Sequence, residues 1–482
     1  MLAVRRLTPQ AARIVSHIDF NLTEKYYVEK ALRFAKHIYL KTKWEEFLNL
    51  DAEAQSIESG TILLAQWCQP TIVVRQETVA KQLDDLAWLM INELSEKYKK
   101  HPLLELKHLV KTKLMQSVWT PAQCRSILES MNQVLFEQLN YQGNRENFYE
   151  ADNSYINKVL ERGTGNPITM CVLYAAVAQR LGVLCEPVNF PAHFLLRWKE
   201  HPTLSGGQEY TYIDVFNRGQ FMPEKECVTV LPSTFAFTQA VYEAVPNIRI
   251  FQRMAHNLVE IGRQQNNTSD CLLCLRNALE LVLLLQPEDT DSRLLLVRVY
   301  LHLNINLGEV LSILQHIQAT DPTRCGIVAY MFQICRTKLE TKRIDKTICQ
   351  PNESKFRVSD VQFAIGMIMT HKRFNYSCVI YGWDPQCAAD NDWVVQMGVN
   401  NLSKQRYQPF YHVLVNDGSN RYAAQENLEI ASEPSCLTHA EIGRYFSAFN
   451  GTYYVPNDEK AKEYPQDEAA RAALIQHDYV PS

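Results

Sequence analysis

Phe374-Asn-Tyr-Ser-Cys-Val-Ile-Tyr-Gly-Trp-Asp-Pro385, Gln408-Pro-Phe-Tyr-His-Val-Leu-Val-Asn-Asp-Gly418 and Tyr422-Ala-Ala-Gln-Glu-Asn-Leu428 follow one another in the last quarter of the sequence. From Pro409 to Asn416 successive residues point to opposite sides of an extended chain. Asn416-Asp417-Gly418-Ser419 supplies the residue types that tolerate the positive φ angles of a tight hairpin. A small β-domain with a β-hairpin at its centre is therefore expected near the C-terminal end.

A chain of 482 residues with 46% hydrophobic content can bury several cores, so three or four domains are expected. Met1-Leu-Ala-Val-Arg-Arg-Leu-Thr-Pro9 lacks the apolar run of a secretory signal, and no uncharged apolar stretch is long enough for a membrane span. The expectation is a cytoplasmic protein without membrane contact, with the nucleus as the alternative. The 13 cysteines are scattered, mostly in apolar contexts, and read as reduced core thiols. Cys271-Leu-Leu-Cys274 has metal-like spacing but no second Cys or His pair, and Leu272, Leu273, Leu275 and Leu279 place it on a buried helix; no metal and no cofactor is expected. Net charge is −4 with both signs interspersed, which favours protein partners over a polyanion.

Residues 1–150 read as a helical region, from the apolar periodicity of Val28, Ala31, Leu32, Ala35, Ile38 and Tyr39 and of Leu83, Leu86, Leu89, Met90 and Leu94. Trp44, Phe47 and Leu48 read as ordinary core. Between 151 and 245 the pattern changes. Gly165-Asn166-Pro167 breaks the chain, Pro167 suits a first helical position, and Ile168 to Leu181 runs apolar to Gly182. Glu186 to Trp198 reads as one strand ending a Pro-bounded loop and Tyr210 to Phe216 as the next.

That helix, the strand carrying His193 and the strand carrying Asp214 resemble the transglutaminase-like family of the Sir-B type, related to papain-like cysteine proteases. The resemblance implies a triad: a Cys at the helix start activated by the helix dipole, a His that takes its proton, and an Asp that fixes the tautomer. His193 and Asp214 occupy the matching positions, but the cysteine position falls near Pro167, beside Ile168 and Thr169. Cys171 lies one turn deeper. Cys171 or Thr169 would have to serve as nucleophile; the preferred expectation is a catalytically inactive domain whose His193 and Asp214 persist as a structural pair.

Residues 246–335 return to helix, with Pro287 and Pro322 35 residues apart, near the tetratricopeptide period, so two imperfect repeats are expected as scaffold. Residues 336–355, with few strong core formers, read as a linker, whose basic run is a solvated helix end or a nuclear-import signal. Residues 456–482 read as a tail.

The three opening segments resemble, in order and spacing, the YccV/HspQ-like "hemimethylated DNA-binding" family, which implies an SH3-like β-barrel over 356–455. The whole is thus a multidomain α+β chain. Seven basic residues against nine acidic ones over 356–455 make DNA a poor ligand unless the bases cluster; His371-Lys372-Arg373 is the tight cluster and the candidate DNA contact. The aromatics Tyr376, Tyr381, Trp383, Tyr411 and Tyr422 are the candidates for a peptide groove, since adjacent Phe410 and Tyr411 point to opposite faces.

The module order resembles the F-box substrate receptors of Skp1–cullin–F-box ubiquitin ligases. This implies protein substrates, and Skp1 and cullin bound through an F-box that is missing from this sequence; Leu7-Thr-Pro-Gln10 is only a faint echo of its start. The alternatives are a DNA-binding protein and a residual acyl-transfer enzyme.

Overall fold

The computed structural model describes residues 21–70, 72–105, 114–230, 239–264, 269–347 and 354–478. The amino-terminal segment read for a signal and for Leu7-Thr-Pro-Gln10 lies outside the described residues. The rest divides into two compact units, His37–Cys335 and, separately, the described residues up to Lys36 together with those from Arg336 onward.

Helices α1 (Leu22–Leu48), α2 (Ile57–Cys68), α3 (Gln76–Lys97) and α4 (Pro121–Asn132) make the expected helical region. In α3 the buried face is Val79, Leu83, Leu86, Met90 and Leu94, a three-and-four spacing that puts all five on one side. Leu89 falls off that stripe and is exposed. The periodic set assigned to α1 is corrected: Ile38 and Tyr39 are exposed, while Leu40, Trp44 and Phe47 are buried. Apolar spacing marks a helix but does not say which of its faces a neighbour will cover. Trp44 meets Phe47 and Phe251 edge-on at 5.7 and 5.9 Å. The Phe251 ring lies so close to α2 that a Cβ on Gly60 would stand 2.1 Å from it, so only glycine fits there.

Next come β1 (Gln142–Gly143), α5 (Ile156–Arg162), β2 (Thr164–Gly165) and α6 (Pro167–Arg180). α6 starts where the sequence places it. Asn166 is its N-cap, its side chain accepting from the Thr169 amide, and Pro167 occupies the first turn, where no amide hydrogen is needed. An antiparallel sheet follows in the order β3-β4-β5-β6: Glu186–Val188, Leu195–Lys199, Tyr210–Asp214 and Gln220–Pro223. The single strand expected over Glu186–Trp198 is two strands paired with each other. Between them Ala192 turns the chain with φ 53°.

Helices α7 (Asn247–Gln264), α8 (Ser269–Leu285), α9 (Thr290–Leu303), α10 (Leu307–Thr320) and α11 (Cys325–Thr347) follow. α8 and α10 stop just before Pro287 and Pro322, because a residue preceding proline is pushed out of the helical region. The segment read as a linker is helical as far as Thr347: its Lys, Glu and Arg are good helix formers even though they build no core.

The C-terminal unit is built on the antiparallel sheet β10-β9-β8-β7-β11, with β7 Ile368–His371, β8 Ser377–Asp384, β9 Phe410–Val415, β10 Asn420–Ala424 and β11 Leu428–Ile430. The β9–β10 hairpin turns through Gly418 at φ 82°. A bulge leaves Tyr381 without a cross-strand partner, since Ile380 faces Val413 and Gly382 faces His412. α12 (Asn391–Gln396) lies in the β8–β9 connection, α13 (Ile442–Tyr445) precedes the pair β12 (Phe446–Phe449) and β13 (Tyr454–Pro456), and α14 (Asp458–Glu463) and α15 (Asp467–Asp478) end the unit. The residues read as a tail are part of this core: Tyr464, Asp467 and Arg471 are buried, and Ala470 and Leu474 pack on the main cluster. Among the described residues no helix is long and apolar enough to cross a membrane, and no three His, Cys, Asp or Glu converge as metal ligands.

Candidate functional site

The β3–β4 loop and the end of β5 bring His193 and Asp214 together, with 2.9 Å between His193 Nε2 and Asp214 Oδ1. His193 closes the β3–β4 loop and its amide donates to the Phe190 carbonyl at 3.2 Å; Asp214 is the last residue of β5. The contact is at ion-pair distance, yet Nε2 lacks the alignment of a hydrogen bond and is otherwise unpartnered. The Asp214 carboxylate is fully buried. The Asn217 amide reaches its Oδ1 at 3.1 Å, and the Asn217 side chain donates to Oδ2. Arg145 donates in turn to Asn217 and its guanidinium lies 5.3 Å from the Phe216 ring, which stands edge-on to His193 at 6.2 Å. Gly143 makes room for that ring, since a Cβ there would lie 2.3 Å from it. This charged and aromatic surround was not read from the sequence; Asn217 and Phe216 follow Asp214 so closely that a turn-supported carboxylate was the one available signal.

The nucleophile position is another matter. Pro167 heads α6, and neither remaining candidate is poised for attack. Thr169 is fully buried and its hydroxyl donates to the Asn166 cap at 3.2 Å, so its proton is used in holding the helix start. Cys171 is fully buried and points its thiol at the Phe194 carbonyl, 3.5 Å away. Burial, reinforced by the Asp214 charge, pushes that thiol well above its ordinary pKa, the reverse of what a thiolate nucleophile needs. Native protein treated with iodoacetamide at pH 8 is therefore expected to be modified at exposed Cys325 and to remain unmodified at Cys171 until denatured. Peptide mass spectrometry reads both, and labelling of Cys171 in the native state would restore the enzyme reading.

Behind the His193 loop stands Arg253, from the middle of α7. Its Nη1 donates to Asn189 Oδ1 and, at 2.8 Å, to the same Phe190 carbonyl that His193 uses. Sequence pattern placed Arg253 in a repeat helix and gave no sign of this position.

In the C-terminal unit the candidate peptide groove is corrected. Trp383 and Tyr411 are core residues, 1% and 0% exposed. Trp383 Nε1 donates to Asp467 at 3.0 Å, and the Tyr411 hydroxyl donates to Gln425 at 2.7 Å while accepting the Phe363 amide. Both faces of β9 are covered: Tyr411 lies in the main core, and Phe410 packs with Cys387, Val394 and Val399 of the β8–β9 connection. Tyr376 and Tyr381 pack at the rim of the main core and Tyr422 at the rim of the smaller one. The Tyr422 hydroxyl bonds Asp384, whose carboxyl is held well below the usual carboxylate range by His412, Lys355 and Tyr422 against the cost of burial.

The His371-Lys372-Arg373 cluster is likewise not a free basic patch. His371 is buried, its Nδ1 accepts the amides of Arg373 and Phe374, and burial lowers its pKa. Lys372 Nζ reaches the Glu426 carbonyl. Arg373 lies over exposed Phe374, and Arg421 over Tyr376 at 4.3 Å.

Two family models match the chain: the transglutaminase-like superfamily over residues 77–256, and the hemimethylated DNA-binding protein YccV-like family over residues 361–453. Among full-length relatives, F-box only protein 21 of Homo sapiens is 39% identical over 456 residues, covering 92% of this chain and 71% of the relative. The Pongo abelii protein of the same name is 39% identical over 449 residues with the same coverage. A UPF0162 protein of Xylella fastidiosa is 32% identical over 174 residues, 34% of this chain and 59% of the relative. No solved structure gave a significant match. With its paired His193 and Asp214 in a transglutaminase-like domain, a YccV-like domain following in sequence, and identity running through both, the chain belongs to the F-box only protein 21 family.

Proposed function

We propose that this protein is a non-catalytic substrate receptor of a Skp1–cullin–F-box ubiquitin ligase, capturing proteins for ubiquitination by its partners. One observation carries the non-catalytic part: the start of α6 offers Pro167 where a nucleophilic thiol would stand, with Cys171 sealed in the core behind it. A pair such as His193 and Asp214 without a nucleophile can still position a bound chain, since the buried Asp214 carboxylate, itself held by Asn217, keeps the imidazole in place. The receptor part is supported by the kinship with proteins named F-box only protein 21. Skp1 and cullin would then be held by an F-box outside this sequence, and the reading carries a cytoplasmic location with it. We also take residues 356–455 as an SH3-like barrel and residues 246–335 as tetratricopeptide-like pairs; the all-antiparallel sheet and the successive helices α7 to α11 support this.

The test is to express the chain in cells with and without the genomic coding sequence upstream of Met1, and to measure recovery of Skp1 and cullin by mass spectrometry. The extended form is expected to recover both and the short form neither. Recovery of other partners but of neither subunit by both forms would end the ligase reading.

A second reading, nucleic-acid binding by the C-terminal unit, is favoured by the interleaving of Arg373, Phe374, Tyr376 and Arg421, since cations over aromatic rings suit bases and phosphates. It is opposed by the nine acidic residues against seven basic ones over 356–455 and by the Asp417 carboxylate paired with Arg421. Salt-dependent binding of a DNA duplex would be its signature.

A further inference from the structure

Arg253 is a cation without a counter-ion. Among the described residues no carboxylate pairs with it, whereas Arg125, Arg162, Arg180 and Arg197 of the same unit each reach at least one. Its surroundings are apolar: the guanidinium lies 5.7 Å from the Phe194 ring, and Phe190, whose carbonyl it holds, packs with Val188, Leu195 and Tyr212. Burial pulls its pKa down, as expected of a charge taken from water with nothing to balance it. A half-buried charge with no carboxylate against it is costly, and a protein that retains one as a structural hydrogen-bond donor could use a neutral Gln or Asn instead.

The donors are also divided. Nη1 makes both hydrogen bonds, to Asn189 and to the Phe190 carbonyl, and thereby fixes the plane of the guanidinium against the loop that carries His193. Nε and Nη2 make no hydrogen bond among the described residues. These two nitrogens present parallel N–H groups from one edge of the guanidinium, the fork that matches the two oxygens of a carboxylate. Asp214, the buried carboxylate of the same domain, is taken up by Asn217 and stands against His193.

We propose that the Nε/Nη2 edge of Arg253, whose guanidinium is held by Nη1 against the loop that carries His193, is the docking point for a carboxylate of the captured protein. A carboxylate fits better than a phosphate dianion, since a single guanidinium balances one charge and the neighbouring apolar rings penalise a second. The carboxylate comes from an acidic side chain or from a chain terminus, and the two sources bring the same fork-to-fork contact. That the carboxylate belongs to a protein awaiting ubiquitination rests on the receptor reading; the anion site itself does not.

The experiment uses the full chain labelled with [15N]arginine and follows the Arg253 Nε–Hε resonance, identified by its loss in Arg253→Gln. Three probes are titrated: acetyl-Gly-Gly with a free carboxylate, acetyl-Gly-Glu-Gly-amide with a side-chain carboxylate, and acetyl-Gly-Gly-amide with none. At least one carboxylate peptide is expected to move the resonance saturably while the neutral peptide leaves it in place, and the stronger of the two identifies the source. Arg253→Lys, which keeps the charge and loses the fork, is expected to weaken binding by at least about tenfold. If neither carboxylate moves the resonance, or the neutral peptide moves it equally, the site is overturned. The titration on the unsubstituted chain decides this even should a variant fail to fold. Because no ligase subunit is present, failure here leaves the recovery of Skp1 and cullin as a separate question.

Discussion

Trp383→Ala is expected to destabilise the C-terminal unit by about 4 kcal/mol, the usual cost of emptying a fully buried large aromatic. The indole is 1% exposed, tilted against the Tyr464 ring at 5.1 Å, and it ties β8 to α15 through Asp467. Asp467 keeps the Arg357 guanidinium and the Ile365 amide, so the cavity rather than a stranded carboxylate dominates the loss. Trp383→Phe fills most of the space and gives up only the Nε1 bond, so about 2 kcal/mol is expected. Hydrogen exchange resolved by peptide mass spectrometry separates the units: amides of β8 and β9 should lose protection together in Trp383→Ala, while those of α6 keep theirs. Full protection of β8 in that variant would show that Trp383 is a surface residue after all and would reopen the peptide groove.

That groove shows where sequence stops informing. Alternation along β9 shows that Phe410 and Tyr411 face opposite ways, but not that the β8–β9 connection folds Cys387, Val394 and Val399 over the outer one. What covers a face is a tertiary fact. The same limit hid α15: a segment as charged as Asp467 to Asp478 reads as solvated, and only in three dimensions do Asp467 and Arg471 meet Ile365, through its amide and its carbonyl. By contrast α6 was legible almost to the residue, because a capping Asn, a Pro in the first turn and a closing Gly are local signals that act on the backbone directly. His193 and Asp214 were legible only as a pattern of order. Arg253 was not legible, since its partners Asn189 and Phe190 lie more than sixty residues earlier and are met through packing alone.

Arg180→Met is expected to cost the larger unit about 3 kcal/mol, because it removes the cation that holds α2 and α3 against α6. The guanidinium ends α6 and reaches Glu58 of α2 at 2.7 Å and Asp84 of α3 at 2.7 Å, and it donates back to the Ala176 carbonyl. Its side chain is only 11% exposed, so this is no screened surface pair. Without it the half-buried Glu58 and Asp84 carboxylates lose the cation that both of them reach. The triple variant Glu58→Gln, Asp84→Asn, Arg180→Met removes the two carboxylate charges together with the cation and is expected to regain most of the loss, which a merely bulky role for Arg180 would not allow. The consequence reaches the site through α6 itself. That helix carries Asn166 and Thr169 at its start and Cys171 against the Phe194 carbonyl, one residue from His193. Loosening it should therefore raise exchange in the Phe190–Leu195 loop as well as in α2 and α3. Denaturant melts and hydrogen exchange together decide the matter: an unchanged urea midpoint in Arg180→Met would show that the three helices are held by their apolar faces alone.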